Sequence, residues 1–97
     1  MEITLCQSFL SKDDSLFVSL YKTMESKFLP HRGDFVSDSA FHAPDEHEIQ
    51  RTVINYESEL CSVYLAPILL EDDHDLEIHL KRFKCNGWID QLFRNYL

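Results

Sequence analysis

The chain has 97 residues, of which 44% are hydrophobic and 12% aromatic, and its net charge is −8 because 17 acidic residues outnumber nine basic ones. This length suits a single domain over residues 1–97, and the apolar fraction excludes a disordered acidic tail. The negative charge disfavours binding to nucleic acid or anionic membranes and favours basic partners, although acidity also serves solubility alone.

The three cysteines are Cys6, Cys61 and Cys85, an odd number without close spacing. This pattern argues against a disulfide framework and against a structural zinc site. Residues 1–5 lack the basic region of a secretory signal, and no segment approaches the ~18 apolar residues that a membrane span requires. We therefore expect a protein of the cytoplasm.

The first third of the chain predicts a strand followed by a helix. Apolar and polar residues alternate over residues 2–9, which is typical of a short strand. Ser11 and the acidic residues after it suit a helix N-terminus, and Pro30 would end that helix. The prediction of a helix over residues 12–28 depends on apolar residues spaced mostly by three and four: Phe17, Leu20, Tyr21, Met24 and Phe28.

The middle of the chain predicts an irregular connection and then a hairpin. Residues 30–45 are rich in turn-forming residues and are expected to be irregular. Residues 52–57 and 60–66 carry strand formers on both sides of Ser58, which favours an antiparallel hairpin. A short helix over residues 49–57 is the alternative.

Two segments near the end of the chain complete the expected elements. Residues 75–84 fit a strand and a helix equally well, because their apolar residues satisfy both periods. Asn86-Gly87 predicts a break, and residues 88–96 predict a short C-terminal helix. We expect an α+β fold, with a small, mostly antiparallel sheet of three to four strands packed against two or three helices.

Acidic residues are concentrated in three groups, and the densest has five carboxylates within residues 71–77. Like charges this close repel each other unless a cation or a basic partner neutralises them. Carboxylates spaced like phosphates can occupy a basic groove that normally holds DNA or RNA. The residues predicted to bind a partner are Asp45, Glu46, Glu48, Glu57, Glu59, Glu71, Asp72, Asp73, Asp75 and Glu77.

Other interpretations of the acidic residues are solvation and metal binding. Each acidic run, considered singly, can be a solvent-exposed surface without a binding role. An EF-hand calcium site is disfavoured because residues 71–77 contain no glycine and no alternating oxygen ligands. Two sets of histidines and carboxylates lack the His-Glu-x-x-His spacing of helical zinc sites, so no metal or other cofactor is predicted. These sets are His42, Asp45, His47 and Glu48, and His74, Asp75 and His79.

Catalytic signatures are absent from the sequence. It contains no nucleophile elbow, no glycine-rich phosphate loop and no carboxylate pair at a defined spacing. No local motif singles out one cysteine and one histidine as a nucleophile pair. We therefore expect a noncatalytic protein that works by binding.

In its size, its acidity, its α+β pattern and its lack of catalytic motifs, the chain resembles the small anti-CRISPR proteins of phages and prophages. Within that group it is most similar to the DNA-mimicking inhibitors of the type I-F surveillance (Csy) complex. The resemblance covers the whole chain in character and includes no diagnostic motif. The residues that carry it are Asp13-Asp14, Asp45-Glu46-His47-Glu48, Glu57-Ser58-Glu59 and Glu71-Asp72-Asp73-His74-Asp75-Leu76-Glu77.

The resemblance implies a stoichiometric inhibitor in the cytoplasm of a bacterial host. Such a protein would lodge where target DNA enters, with carboxylates in place of phosphates, and would exclude the DNA by competition. A tight complex would also need an aromatic anchor, because exposed charge pairs alone contribute little. The candidate anchors are Tyr21, Tyr56, Tyr64 and Trp88.

Three other kinds of binding protein remain open. An antirestriction DNA mimic and an antitoxin are also small, acidic and noncatalytic. An adaptor could bind through its apolar residues while its charge serves only solubility. Strong salt dependence of binding would favour the mimic over the adaptor.

Overall fold

A curled, half-barrel β-sheet forms most of the molecule. The structure, a computed structural model, describes residues 1–12, 16–41 and 47–90. Its strands are β1 (Glu2–Ser11), β2 (Phe17–Glu25), β3 (Phe35–Val36), β4 (His47–Asn55), β5 (Leu60–Leu65) and β6 (Ile68–Leu70), and they are followed by the helix α1 (Asp73–Cys85).

The sheet is mixed, with the strand order β2-β1-β5-β4-β3. Strand β1 pairs antiparallel with β2 on one side and parallel with β5 on the other. Strand β6 continues the path of β5 along β1 after an interruption at Ala66 and Pro67. The Nε2 atom of Gln7 donates a hydrogen bond of 2.8 Å to the carbonyl of Ala66 at this interruption. The two ends of β1 define the two ends of the sheet, which we call the Glu2 end and the Ser11 end.

The expected fold class is wrong. Over the residues that the structure describes, one mixed sheet of five to six strands forms instead of a mostly antiparallel sheet of three to four. The described residues form one helix, of 13 residues, where the sequence predicts two or three. The difference arises because β1 pairs along both of its edges, and local periodicity does not report such long-range pairing.

The predicted helix over residues 12–28 is wrong because residues 17–25 form β2. Its apolar residues are spaced as on one face of a helix. Val18, Leu20 and Met24 also fit a strand, in which every second residue points to the same side. The segment is rich in Phe, Val, Tyr and Thr, which fit a strand well. Pairing with β1 along its full length therefore decides the conformation.

Other expectations are confirmed. Residues 2–9 lie in β1, and the hairpin predicted over residues 52–57 and 60–66 corresponds to β4 and β5, which excludes the alternative helix. Residues 75–84 lie in α1, which settles the choice between helix and strand there. The break predicted at Asn86-Gly87 is also confirmed, because these residues directly follow the last residue of the helix.

The start of the predicted C-terminal helix, residues 88–96, is not helical. Trp88 lies outside any helix, and Ile89 forms an isolated antiparallel bridge with Tyr21. The N–H of each residue of this bridge donates to the carbonyl of the other, at 2.8 and 2.9 Å. Residues 91–97, the rest of the predicted helix, lie outside the described residues.

The core lies between one face of the sheet and α1. Phe9, Phe83 and Trp88 are buried there, and the Phe9–Phe83 and Phe83–Trp88 ring pairs pack edge to face with centroids 5.1 Å apart. Burial of each such side chain contributes roughly 1.5–3 kcal/mol. The buried apolar residues of the strands that complete the core are Ile3, Leu5, Leu20, Ile49, Cys61, Val63, Leu65 and Leu70.

Asp38 joins three parts of the chain through hydrogen bonds. Its Oδ1 atom accepts from Nζ of Lys22 at 2.8 Å, and its Oδ2 atom accepts from Nε1 of Trp88 at 3.0 Å. The backbone N–H of Ala40 also donates to Oδ2, at 2.9 Å. Burial alone would raise the pKa of Asp38, but these hydrogen bonds outweigh it and lower the pKa below its ordinary value.

Candidate partner-binding face

The sheet has two different faces, because successive side chains of a strand point to opposite sides. In β1, Leu5 and Phe9 belong to the core beside α1, so Thr4, Cys6 and Ser8 point to the other side. We call this other side the helix-free face. Its central residues are Thr4, Cys6, Ser8, Ser19, Tyr21, Thr23, Arg51, Val53, Ser62 and Tyr64.

Hydroxyl groups occupy the centre of the helix-free face. The Oγ1 atoms of Thr4 and Thr23 lie 3.1 Å apart, and the Oγ atoms of Ser8 and Ser19 lie 3.2 Å apart, as cross-strand hydrogen bonds. Charged residues make up 27% of the chain and are mostly exposed in proteins. An exposed face would therefore be expected to carry several charged residues. Among the central residues of the helix-free face, however, Arg51 is the one charged residue.

A row of four side chains crosses this centre from strand to strand. The register places Tyr21 beside Cys6, Cys6 beside Tyr64, and Tyr64 beside Arg51. The Cζ atom of Arg51 lies 4.3 Å from the centre of the Tyr64 ring, a favourable cation–π contact. Burial raises the pKa of the Cys6 thiol and of the Tyr21 hydroxyl, so both are uncharged at neutral pH. Cys6 itself is buried, so the row offers a partner the partly exposed rings of Tyr21 and Tyr64, the Tyr21 hydroxyl and one cation.

An exposed apolar row crosses the helix-free face near the Ser11 end. Phe17, Leu10 and Leu69 are register neighbours on β2, β1 and β6, and Phe17 and Leu69 are 68% and 69% exposed. Beside this row lies a cavity of about 240 Å³, into which an apolar side chain of a partner would fit. The cavity is lined by Leu10, Ser11, Lys12, Leu69, Leu70 and Glu71.

Carboxylates flank the face at the Glu2 end. Glu2 and Glu25 are direct cross-strand neighbours, and like charges in this arrangement are destabilising. The amino group of Met1, 3.4 Å from Oε2 of Glu25, offsets part of this repulsion. Glu57 and Glu59 lie in the turn between β4 and β5, which the parallel register of β1 and β5 brings to the same end.

A second acidic group flanks the face at the Ser11 end. Glu71 lines the cavity, and Asp72 caps α1 by accepting a hydrogen bond of 3.1 Å from a backbone N–H of its first turn. Glu48 lies near the start of β4 and is exposed. It points to the helix-free side, because His47 and Ile49 point to the core.

The remaining predicted partner-binding residues lie elsewhere. Asp75 and Glu77 belong to α1, which packs on the core side of the sheet, so the acidic run of residues 71–77 is divided between two sides of the molecule. Asp45 and Glu46 lie outside the described residues, and so does the side chain of Asp73.

The centre of the helix-free face could not be identified from the sequence. Tyr21 and Tyr64 are candidate anchors there, but Arg51 and the serine and threonine residues are not singled out. The alternation of Thr4 and Ser8 with core residues in β1 is the one sequence pattern that indicates a polar face. It becomes informative only once β2 is recognised as a strand, because the hydroxyl pairs join these two strands.

The described residues do not assemble a metal site, and the buried Cys6 thiol is not activated. Within residues 1–12, 16–41 and 47–90, no group of three or more His, Cys, Asp or Glu residues is arranged to hold a metal ion. The raised pKa of Cys6 leaves little of the thiolate that nucleophilic chemistry requires. In the same part of the chain, no helix is long and apolar enough to cross a membrane.

Comparisons with known proteins do not assign the chain to a family. No protein-family model matches it. No curated protein and no solved structure shows significant similarity to it. Its function therefore has to be inferred from the geometry of the helix-free face.

Proposed function

We propose that the protein is a noncatalytic binding protein that docks its helix-free face onto a basic, nucleic-acid-binding groove of another protein and so keeps nucleic acid out. The observation that supports this most is a centre rich in hydroxyl and aromatic groups between two acidic ends. The centres of protein interfaces are likewise poor in charge and enriched in Tyr and Arg, whereas the serines of this face are not typical of them.

The two acidic ends are separated by the length of β1. Its ten residues, at ~3.3 Å each, put the ends roughly 30 Å apart. Carboxylates would therefore meet a basic groove at two places instead of as one continuous series of phosphate-like charges. With a net charge of −8, the protein would associate faster with a basic partner, and added salt would weaken the attraction.

The apolar row supplies affinity that charge does not. Exposed ion pairs contribute at most about 1 kcal/mol each, whereas a buried anchor side chain can contribute about 2 kcal/mol or more to binding. Phe17 and Leu69 are exposed enough to enter apolar pockets of a partner. The cavity beside them can receive a side chain of the partner in return.

The first partner to test is the type I-F CRISPR surveillance complex, because the resemblance in size and acidity points to it. Binding would occur against lysines and arginines where target duplex DNA enters, in the cytoplasm of the bacterial host. An antirestriction mimic, an antitoxin or an adaptor would use the same face against a different protein.

The test is binding of the purified protein to the purified surveillance complex, measured by biolayer interferometry with and without pre-bound target DNA. We expect binding that target DNA prevents and that weakens as NaCl is added. Binding that target DNA leaves unchanged would contradict competition for the DNA channel. Binding that salt leaves unchanged would favour an adaptor.

Paired variants separate the role of charge from the stability of the fold. Asp72→Asn removes a charge but keeps the helix cap, because Asn caps a helix as well as Asp does. Combined with Glu71→Gln, it should weaken binding. The control combines Asp75→Asn with Glu77→Gln, which neutralises two carboxylates in α1 away from the face and should leave binding unchanged. Equal losses for both variants would place the contact elsewhere.

A further inference from the structure

The cavity beside the apolar row lies where two parallel strands end. Strands β1 and β6 form three register pairs, the last of which joins Ser11 and Leu70. Lys12 and Glu71 directly follow this pair, and both line the cavity. Because parallel strands run in the same direction, the residues that follow them come to the same edge of the sheet. A cation and a carboxylate therefore flank one cavity.

Apolar residues form most of the remaining wall of the cavity. Leu10 and Leu69 are register neighbours, and Leu70 is buried. The volume of about 240 Å³ is below the roughly 300–1,000 Å³ of pockets for drug-sized ligands. The cavity therefore suits one aliphatic group of the size of a single amino-acid side chain.

The charges of Lys12 and Glu71 are not used within the fold. In the part of the chain that the structure describes, neither side chain forms a hydrogen bond or an ion pair. Neighbouring strands are about 4.8 Å apart, so two side chains of this length could reach each other. Both groups remain available to a ligand: the ammonium group of Lys12 can bind an anion, and the carboxylate of Glu71 can bind a cation.

We propose that this cavity binds a free α-amino acid with an aliphatic side chain, such as leucine. The α-carboxylate pairs with Lys12, the α-ammonium group pairs with Glu71, and the side chain packs against the leucines of the wall. A zwitterion matches this pair of charges better than a ligand with one charge, which would leave Lys12 or Glu71 unmatched and close to a like charge. The site does not depend on the proposed function, although a bound amino acid would occupy the space that a partner's side chain needs.

The expected affinity is low. Charge pairs at exposed residues contribute little, and a ligand with so few atoms gains little contact area. We expect a Kd in the millimolar range.

Titration of the full chain with leucine, followed through the backbone amide NMR shifts of residues 10–12 and 69–71, tests the proposal. Three further probes each lack one group of leucine. The probe 4-methylpentanoate lacks the ammonium group and 3-methylbutylamine lacks the carboxylate, and each should bind about threefold to fivefold more weakly than leucine. Glycine lacks the side chain and should bind about tenfold more weakly.

Two variants assign each charge of the ligand to one residue. Lys12→Gln should abolish the preference for leucine over 3-methylbutylamine, because the carboxylate then has no cation to pair with. Glu71→Gln should abolish the preference for leucine over 4-methylpentanoate for the corresponding reason. Lys81→Gln, at an exposed lysine of α1 outside the cavity, is the control and should bind leucine like the wild type.

The same spectra show whether each variant is folded. An absence of shifts at residues 10–12 and 69–71 with tens of millimolar leucine would overturn the proposal. So would equal binding of leucine and the two singly charged probes by the wild type, or preferences that Lys12→Gln and Glu71→Gln leave unchanged in the folded protein.

Discussion

At the scale of single residues, burial separates the three cysteines. Cys6 and Cys61 are buried and Cys85 is exposed, and burial raises the pKa of the Cys6 and Cys61 thiols. Because the thiolate is the reactive form, we expect a disulfide reagent at mildly alkaline pH to modify Cys85 rapidly in the folded protein. The other two thiols should react only on unfolding.

The variant Cys85→Ser is the control for this prediction, since it should remove the rapid phase completely. Absorbance of the released thiol measures the number of sites that react in each phase. Rapid reaction of more than one thiol in the folded protein would contradict the burial of Cys6 and Cys61.

The hydrogen bonds of Asp38 make its charge part of the folded state. Asp38→Asn should lower the free energy of unfolding at neutral pH by about 1–3 kcal/mol. The folded state lowers the pKa of Asp38, so this contribution is present above the ordinary aspartate pKa and is lost as the pH falls towards the folded-state value. Urea denaturation of both proteins at several pH values measures the difference, which should shrink in acid.

Asp90→Asn is the matched control for Asp38→Asn. Asp90 forms an exposed ion pair of 3.2 Å with Lys84, and such pairs contribute little to stability. Its loss should change the free energy of unfolding by less than about 0.5 kcal/mol. A loss for Asp38→Asn that stays constant into acid would contradict the lowered pKa.

At the scale of elements, local patterns predict some strands and not others. Strand β1 and the β4–β5 hairpin could be predicted because alternation and turn residues are visible within short segments. Strand β2 could not, because its apolar residues satisfy two periods and only pairing with β1 decides between them. Strands β3 and β6 have two and three residues, too few for any period to be recognised.

The turn between β4 and β5 gives a test of the hairpin. The Oδ1 atom of Asn55 accepts hydrogen bonds of 3.1 Å from the backbone N–H groups of Glu57 and Ser58. Glu59 has a φ of 57°, a conformation that glycine adopts without strain. Glu59→Gly should therefore raise the free energy of unfolding by up to about 1 kcal/mol.

Glu57→Gly is the control in the same turn, because it also removes one carboxylate. It should lower the free energy of unfolding, since glycine increases the freedom of the unfolded chain without relieving strain at this position. Chemical denaturation of the two variants measures both changes. Equal destabilisation by both would contradict the left-handed conformation of Glu59.

The first turn of α1 depends on the cap that Asp72 provides. Asp72→Ala leaves the backbone N–H of His74 without its acceptor and should lower the free energy of unfolding by about 1 kcal/mol. Asp72→Asn should not, because its side-chain oxygen can accept the same hydrogen bond. Thermal denaturation of the two variants distinguishes them, and an equal loss for both would show that charge, not capping, stabilises this turn.

At the scale of the whole molecule, the strand order redistributes the acidic residues. Glu2, Glu25 and the turn after β4 meet at one end, because β1 pairs with both β2 and β5. The run over residues 71–77, continuous in sequence, is divided between the Ser11 end and α1. The total charge could be read from the sequence, but its distribution could not, since that depends on long-range pairing.

The helix-free face is the proposed binding surface. The most direct test compares the affinities of two matched variants for the partner protein. Phe17→Lys on the face and Ile78→Lys on α1 make the same change at exposed apolar positions. We expect Phe17→Lys to weaken binding by about tenfold or more, because it removes an anchor, and Ile78→Lys to bind like the wild type. Wild-type affinity for Phe17→Lys, or a loss caused by Ile78→Lys alone, would contradict binding through this face.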